Sequence, residues 1–458
     1  MQQLSVVVLA AGQGKRMVSN LPKVLHPLGG RPLLAHVLSA ASRLEAAVRV
    51  VVYGHGGEAV KTVLVGESSV LWVEQAEQLG TGHAVAQALP LLDDASVALV
   101  LYGDVPLIQP ETLQPLVEAA RQGQLALLTV ELTDPAGYGR IVRDDQGRVQ
   151  RIVEEKDATL SERCLSEINT GILAVSTAKL RGWVAGLTNE NTQGEYYLTD
   201  IIALAVHDGV PVEPFTVAEP LEVQGVNDRR QLAVLERFYQ ARQAETLMRN
   251  GVTLLDPARV DVRGSLSTGQ DVVIDVNVVF EGTVRLGSRV KIGPFCMLKD
   301  AVIGDDVEIL SHCRIEGAEI GPGAQIGPFA RLRPDTRLAA GVHIGNFVET
   351  KKTTIGPGSK VNHLTYLGDA EVGAEVNVGA GTITCNYDGA NKHKTVIEDG
   401  AFIGSNSSLV APVRIGRGAT IGAGSSVSRS VPDGSLCLTR AQRKEVANWE
   451  RPVKPKKL

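Results

Sequence analysis

The sequence lacks paired cysteines. Its five, Cys164, Cys296, Cys313, Cys385 and Cys437, are scattered without a CxxC pair, which argues against a disulfide framework and against a zinc site. It also lacks a dominant charge. Lys and Arg number 46 against 51 Asp and Glu, a formal net charge of -5, so no global field would draw in nucleic acid or a membrane surface, and anionic ligands have to be met locally. No apolar run approaches the roughly 20 residues of a membrane span. The N-terminus enters a strand-like run without the basic, apolar and small-residue order of a signal peptide, and the end, Pro452 to Leu458, is expected to be solvated. A cytoplasmic protein without nucleic-acid or membrane partners is the expectation. At 458 residues and 44% hydrophobic content, the chain has room for at least two domains with real cores.

The second half carries a beat of six residues. Ile274, Phe280, Leu286, Ile292 and Leu298 are each six apart, and the count resumes at Ile303, Ile309 and Ile315, at Ile320 through Ile344, at Ile355, Val361 and Leu367, at Val372 and Val378, and at Ile397 through Val427. Glycine often follows the aliphatic, as in Ile292-Gly293, Ile326-Gly327 and Ile421-Gly422. This hexapeptide pattern predicts a parallel β-helix: each unit is one short flat side, its aliphatic turned inward and its glycine placed where the chain must bend. At about 4.8 Å per stacked strand, the span predicts about eight or nine coils and a prism on the order of 40 Å long. Flat polar faces of such a rod favour self-association, most simply as a trimer.

The first half opens differently. Leu4 to Ala11 is a continuous apolar run, predicting a strand buried on both faces. Gly12-Gln-Gly-Lys-Arg-Met17 follows, then a helical stripe at Leu33, Leu34, Val37, Leu38, Ala41 and Leu44, then a strand over Val48 to Val52. Leu71 to Val73 and Val97 to Tyr102 continue a mostly parallel, Rossmann-like sheet whose loops gather at its carboxyl edge. The third glycine of a GxGxxG fingerprint would fall at Met17, so a dinucleotide site is disfavoured. Lys15, Arg16 and Lys23 around the turn suggest instead a cradle for a triphosphate. Asp104 ends an apolar strand at that edge, a place where a carboxylate can hold a hard cation.

The run Leu9-Ala-Ala-Gly-Gln-Gly-Lys-Arg-Met17 with Pro22-Lys23 resembles the sugar-phosphate nucleotidyltransferases. Gln75-Ala-Glu-Gln-Leu-Gly-Thr81, Tyr102-Gly-Asp104, Gly137-Tyr-Gly-Arg140, Ile152-Val-Glu154, Glu167-Ile-Asn-Thr-Gly171 and Gly225-Val-Asn227 narrow the likeness. Together with the repeat, they resemble the bacterial bifunctional N-acetylglucosamine-1-phosphate uridylyltransferases and glucosamine-1-phosphate acetyltransferases, over essentially the whole chain. The resemblance implies a Rossmann-like α/β nucleotidyltransferase domain over 1–227, a linker helix over 228–250, and a left-handed parallel β-helix with acetyltransferase function over 251–458. It implies that Leu9, Ala10, Ala11, Gly12, Gln75, Gly80 and Thr81 hold the uridine nucleotide of UTP, and that Arg16 and Lys23 meet the phosphates. Tyr102, Gly103, Gly139, Glu154, Asn169 and Asn227 would line the sugar side, with Asp104 and Asn227 on Mg²⁺. The reaction implied is in-line attack of a sugar 1-phosphate oxygen on the α-phosphorus, expelling pyrophosphate, with no protein nucleophile.

Between the two halves, Leu232, Leu235, Phe238, Tyr239 and Met248 recur at helical spacing, predicting an amphipathic connecting helix that stops at Asn250-Gly251. The hexapeptide register is interrupted over Asn346 to Lys352 and over Thr384 to Lys394, and breaks in a solenoid are where binding groups are added. Repeat count puts Arg333, Lys351, Tyr366 and Asn377 about one coil apart, around His363. The resemblance supplies roles: Arg333 and Lys351 on a sugar phosphate, Tyr366 and Asn377 on the sugar, His363 as general base, and Ala380, Asn386, Tyr387, Ser405, Ala423 and Arg440 on acetyl-CoA, with Arg440 able to reach a neighbouring subunit. The product, UDP-N-acetylglucosamine, would feed cell-wall and lipopolysaccharide synthesis. Two other readings are a one-activity nucleotidyltransferase with the β-helix as a trimerisation scaffold, and a non-catalytic regulatory subunit.

Overall fold

A computed structural model describes residues 2–54, 56–64 and 69–453; the last five residues of the tail lie outside the described residues. The chain divides into two compact units, 1–242 and 243–458.

In the first unit, Leu4–Ala10 is buried at every position because it is the central strand of an open sheet. Its neighbours are Val48–Tyr53 on one side and Val97–Tyr102 on the other, both parallel. Leu71–Glu74 continues the first side; Glu167–Ser176, Leu125–Glu131 and Val212–Val217 continue the second. Glu167–Ser176 alone runs antiparallel to both its neighbours in this order. The strand order therefore reverses between Leu4–Ala10 and Val97–Tyr102, and in an open α/β sheet the crevice at the carboxyl ends of such a pair is where ligands bind. A hairpin, Arg140–Arg143 with Val149–Val153, is attached to Glu167–Ser176 through the Ile168 and Arg140 pair. The helix Leu33–Ser42 buries Leu33, Leu34, Val37, Leu38 and Ala41, as its stripe predicts; Leu44 lies beyond its end.

In the second unit, all 24 aliphatic and aromatic positions of the repeat are buried in one continuous core. Equivalent residues stack from coil to coil in parallel register: Ile292 on Ile309, Ile326, Ile344, Val361 and Val378, then Ile403 and Ile421. The stack starts earlier and ends later than the repeat count, at Leu254 and Cys437, giving an 11-stranded flat side of about 48 Å at about 4.8 Å per strand.

Two expectations about this register are corrected. The interval between Ile344 and Ile355 is not a break: Thr350 takes the inward slot, paired with Leu332 and Leu367, fully buried, its hydroxyl 3.0 Å from that of Thr336. A threonine has nearly the volume of valine, and a partner hydroxyl removes the cost of burying its oxygen. Thr384 likewise fills its slot on Leu409, so the real excursion begins only after it and ends where the strand Thr395–Ile397 starts. Gly327 bends the chain with φ 97°, but Gly293, Gly404 and Gly422 take no positive φ. At Gly404, a Cβ would stand 2.4 Å from the backbone nitrogen of Ala423 in the next coil, so the need is close approach. Bends at one corner are made by Phe295, His312, Phe329, Phe347 and Leu364, all with φ between 49° and 61°.

The helix Arg229–Arg249 is continuous. Leu235 is buried with Met17, Leu28, Leu33, Leu107 and Val226 in the first unit, while Ala244 and Leu247 join the β-helix core. Met248, expected on the packed stripe, is exposed; Leu247 takes that place.

Candidate active sites

The crevice at the strand reversal is a cavity of 380 Å³ lined by Leu9, Ala10, Ala11, Gly12, Lys23, Gln75, Gly80, Thr81, Tyr102 and Asp104, together with Val24, Gln78, Ala84 and Glu195. Ten of the expected nucleotide and sugar residues therefore share one wall. A second cavity of 270 Å³ shares Lys23 with the first and is lined by Gln13, Gly14, Lys15, Arg16 and Asn227, which gathers the basic residues of the phosphate loop. Gly14 has φ 62°, and a Cβ there would meet that of Lys23 at 2.7 Å, so the turn requires glycine to fold back on the lysine. Gln75 donates to the carbonyl of Gly80, 3.0 Å away. Gln78, to which the sequence assigned no role, donates to the carbonyl of Ala11 at 2.6 Å; its place in the Gln75 to Thr81 motif was the available signal.

Lys23 Nζ makes an ion pair with Asp104 Oδ2 and stands 3.4 Å from Asn227 Oδ1. One carboxylate and one amide oxygen thus converge on a single cationic atom. That donor set suits a hard divalent cation that takes its remaining ligands from phosphates and water. Among the described residues, no group of three or more His, Cys, Asp or Glu forms a larger metal cluster.

The sugar-side residues collect around Tyr102. Its phenol is pushed well above the usual tyrosine range, first by burial, then by the charges of Glu154 and Asp104. Glu154 is itself raised by burial and by Asp200, Asp157 and Glu195, although Thr199 donates a hydrogen bond to it. Gly139 lies against the Glu154 carboxylate, 3.4 Å from where a methyl group would point, and its carbonyl accepts from Asn169 N at 2.9 Å. The amide of Gly103 donates to the carbonyl of Leu9.

On the β-helix, His363 ends the strand Lys360–His363 and is exposed. Its Nδ1 lies 2.7 Å from Asn346 Oδ1, one coil earlier. Across the corner, Glu349 pairs with Tyr366 and Lys351 with Gly368, and the Tyr366 phenol folds over Gly368. Arg333 reaches Glu349 Oε1 at 2.8 Å. The Lys351 ammonium is made more acidic first by Lys392, then by Arg333 and Lys352, so the loop beyond Thr384 delivers a further cation, Lys392, to the same side. The sequence placed Lys392 in an extruded loop without assigning it a role.

Asn377 is not brought to this group within one chain. It pairs with Lys360 and Phe402, three residues of register from His363, about 10 Å along a strand. Asn386 is buried and donates to Asp369 Oδ2 at 2.5 Å; Tyr387 is exposed. Ala380, Ser405 and Ala423 rise in one column at the next corner. The carbonyl of Ala380 accepts from Asn406 N and that of Ser405 from Gly424 N. Arg440, expected to reach a neighbouring subunit, lies over Gly422 and Gly424 of its own chain, its Nη2 3.3 Å from where a Gly422 Cβ would be.

A loop of basic residues at a strand reversal in one unit, and in the other an exposed imidazole on a hexapeptide coil whose strands also carry clustered cations, are the two candidate sites of a transferase. Family models divide the chain the same way: a MobA-like NTP transferase domain matches residues 6–252, a GMPPB C-terminal domain 262–366, and the bacterial transferase hexapeptide (six repeats) 394–429. Curated relatives align end to end. The bifunctional protein GlmU of Marinobacter nauticus is 58% identical over 99% of this chain and 100% of its own. That of Methylococcus capsulatus is 58% identical, and that of Acinetobacter baumannii strain AYE 57%, each over 99% of both chains. The chain belongs to the GlmU family of bifunctional proteins, with a nucleotidyltransferase domain followed by a left-handed β-helix acetyltransferase domain.

Proposed function

We propose that the β-helix acetylates glucosamine 1-phosphate with acetyl-CoA, and that the N-terminal domain then transfers UMP from UTP to N-acetylglucosamine 1-phosphate, giving UDP-N-acetylglucosamine and pyrophosphate. The observation that carries the first half is the His363 and Asn346 pair. An amide oxygen only accepts, so Nδ1 holds the proton and Nε2 presents its lone pair. An ammonium cannot attack a thioester. As the neutral amine nitrogen adds to the acetyl carbonyl, Nε2 takes its proton; the C–S bond then breaks and the proton passes from Nε2 to the sulfur, so coenzyme A leaves as the thiol. Arg333, Lys351 and Lys392 bind the sugar phosphate, and Ala380, Asn386, Tyr387, Ser405, Ala423 and Arg440 the coenzyme. A β-helix serving only as scaffold has no use for an oriented exposed imidazole beside clustered cations, which disfavours the single-activity reading.

In the N-terminal domain, Leu9 to Gly12, Gln75, Gly80 and Thr81 hold the nucleotide, and the sugar side formed by Tyr102, Gly139, Glu154 and Asn169 orients the acceptor phosphate for in-line attack on the α-phosphorus. Arg16 and Lys23 neutralise the triphosphate, so the chain contributes position and charge rather than a nucleophile. Asp104 and Asn227 would hold Mg²⁺, which supplies further charge neutralisation on the phosphates. We further assign the domains as 1–227 and 251–458 with a linker helix between, a cytoplasmic location where both co-substrates are made, and a homotrimer. Support for self-association comes from an exposed corner of the β-helix where Phe295, His312, Phe329 and Phe347 stack at 5.0, 4.8 and 5.3 Å between ring centroids; such an apolar ladder favours being covered.

The test is a paired assay on the full chain: free thiol from acetyl-CoA with glucosamine 1-phosphate, and magnesium-dependent pyrophosphate from UTP with N-acetylglucosamine 1-phosphate. Both products are expected. Pyrophosphate without thiol would leave the scaffold reading, and neither product would leave the regulatory one.

A further inference from the structure

Among the described residues, Arg140 is the largest fully buried side chain, 1% exposed, and it lines neither cavity. A guanidinium in that position needs its charge met nearby. Its Nη1 donates to the carbonyl of Tyr138 and its Nη2 to the carbonyl of Arg163 at 3.4 Å; the same Nη2 is ion-paired with Glu155, 2.7 Å from Oε2, while Arg140 Nε and Glu155 Oε2 make no hydrogen bond among the described residues. Its backbone is shared as well: Arg140 pairs with Val153 on one side and Ile168 on the other.

Apart from Arg163, the anchors lie one step from residues of the sugar side. Tyr138 precedes Gly139, Glu155 follows Glu154, and Ile168 precedes Asn169, whose amide donates to the Gly139 carbonyl at 2.9 Å. One buried residue thus ties the turn before Gly139 to the hairpin end beside Glu154 through its guanidinium, and holds the strand that presents Asn169 through its backbone. The nucleotide wall, from Leu9 to Gly12 and from Gln75 to Thr81, stands on other strands and receives none of these bonds. We propose that Arg140 is a positioning residue for the sugar 1-phosphate acceptor, setting acceptor geometry from beneath the site while leaving the nucleotide side alone. The inference rests on the uridylyltransferase reading of that site. Displacement of a positioning group by a fraction of an ångström is costly because in-line attack tolerates little misalignment, with roughly 100-fold at stake for about 1 Å.

The experiment compares the full-length wild type with R140K, R140M and E155Q, measuring KM for N-acetylglucosamine 1-phosphate and KM for UTP separately, with the thermal midpoint of the first unit as the control for its folding and acetyl transfer as the control for active concentration. In R140K, the ammonium can still pair with Glu155 but cannot reach both carbonyls, so acceptor KM is expected to rise about tenfold while KM for UTP stays within about twofold. R140M should show a larger rise with the same one-sidedness, and E155Q, which keeps the shape and removes the charge, a smaller one. Should R140M fail to fold, R140K and E155Q decide. Parallel rises in both KM values, or no change in either, would overturn the proposal by reducing Arg140 to bulk stability or to no role. A wild type that released no pyrophosphate from this substrate pair would instead overturn the underlying reading, so the two failures are distinct.

Discussion

His363 Nδ1 lies 2.7 Å from Asn346 Oδ1, a contact between residues 17 positions apart that the stacking of one coil on the next brings together. The bond fixes the tautomer and the plane of the ring. Replacing His363 by Ala should lower acetyl transfer by about 10²–10⁴-fold, the usual contribution of a positioned imidazole. Asn346→Ala should cost less, about tenfold, because the base remains and only its orientation is lost. Thiol release measures both, and pyrophosphate release should be unchanged. Near-normal thiol release from His363→Ala would remove the imidazole from the mechanism.

The complementary lesion is Asp104→Ala. Lys23 is left without its carboxylate partner, and the pair of oxygens that suits a hard cation is reduced to the amide of Asn227. Pyrophosphate release should fall by at least about 10²-fold, the scale on which loss of one electrostatic stabiliser is felt. Acetyl transfer should persist. A mutant with ordinary magnesium dependence would show that the cation is held elsewhere.

Much of this was legible before any coordinates. Every position picked out by the hexapeptide count is inward, because a coil side of fixed length repeats its burial at a fixed interval. That the Gly12 to Met17 loop and Asp104 gather at one sheet edge was legible because the Rossmann-like pattern says where they lie. What the pattern missed follows from chemistry it does not encode. Thr350 and Thr384 are polar by composition, yet they fill core slots because neighbouring groups take up their hydroxyls. The aromatic corner was illegible because bulky side chains at φ near 60° contradict local preference, and the ladder that accompanies it forms only when coils stack. Repeat count misplaced Asn377 because it gives height along the prism but not position across a flat side.

Glu154 makes a prediction about pH. Burial raises its pKa above the ordinary value, with Asp200, Asp157 and Glu195 adding to the shift. Since the folded state binds this proton more tightly than the unfolded chain, the group's contribution to stability is fully present below the unfolded pKa and is lost as pH rises through the raised one. Above its raised pKa, the ionised Glu154 is therefore a net cost to the fold. Glu154→Gln is expected to raise the thermal midpoint of the first unit's transition at pH 7.5, with the gain vanishing below the ordinary carboxylate range, while acceptor KM rises. Calorimetry across pH checks the first part. An equal gain at pH 4 and pH 7.5 would place its origin outside Glu154 ionisation.

The threonines inside the prism carry the last prediction. Thr336 and Thr350 lie on successive coils with their hydroxyl oxygens 3.0 Å apart, each fully buried. Changing either one alone to valine keeps the volume but strands the other hydroxyl, and an unpaired buried polar group costs about 1–3 kcal/mol. Changing both removes the pair and puts two methyl groups into the prism interior, which should be close to neutral. The double mutant cycle should therefore show a coupling energy comparable to the cost of a single change, read from denaturant midpoints of the β-helix transition. Additive losses in the double mutant would mean that each hydroxyl is satisfied independently of the other, and that Thr350 occupies its slot for some reason other than this bond.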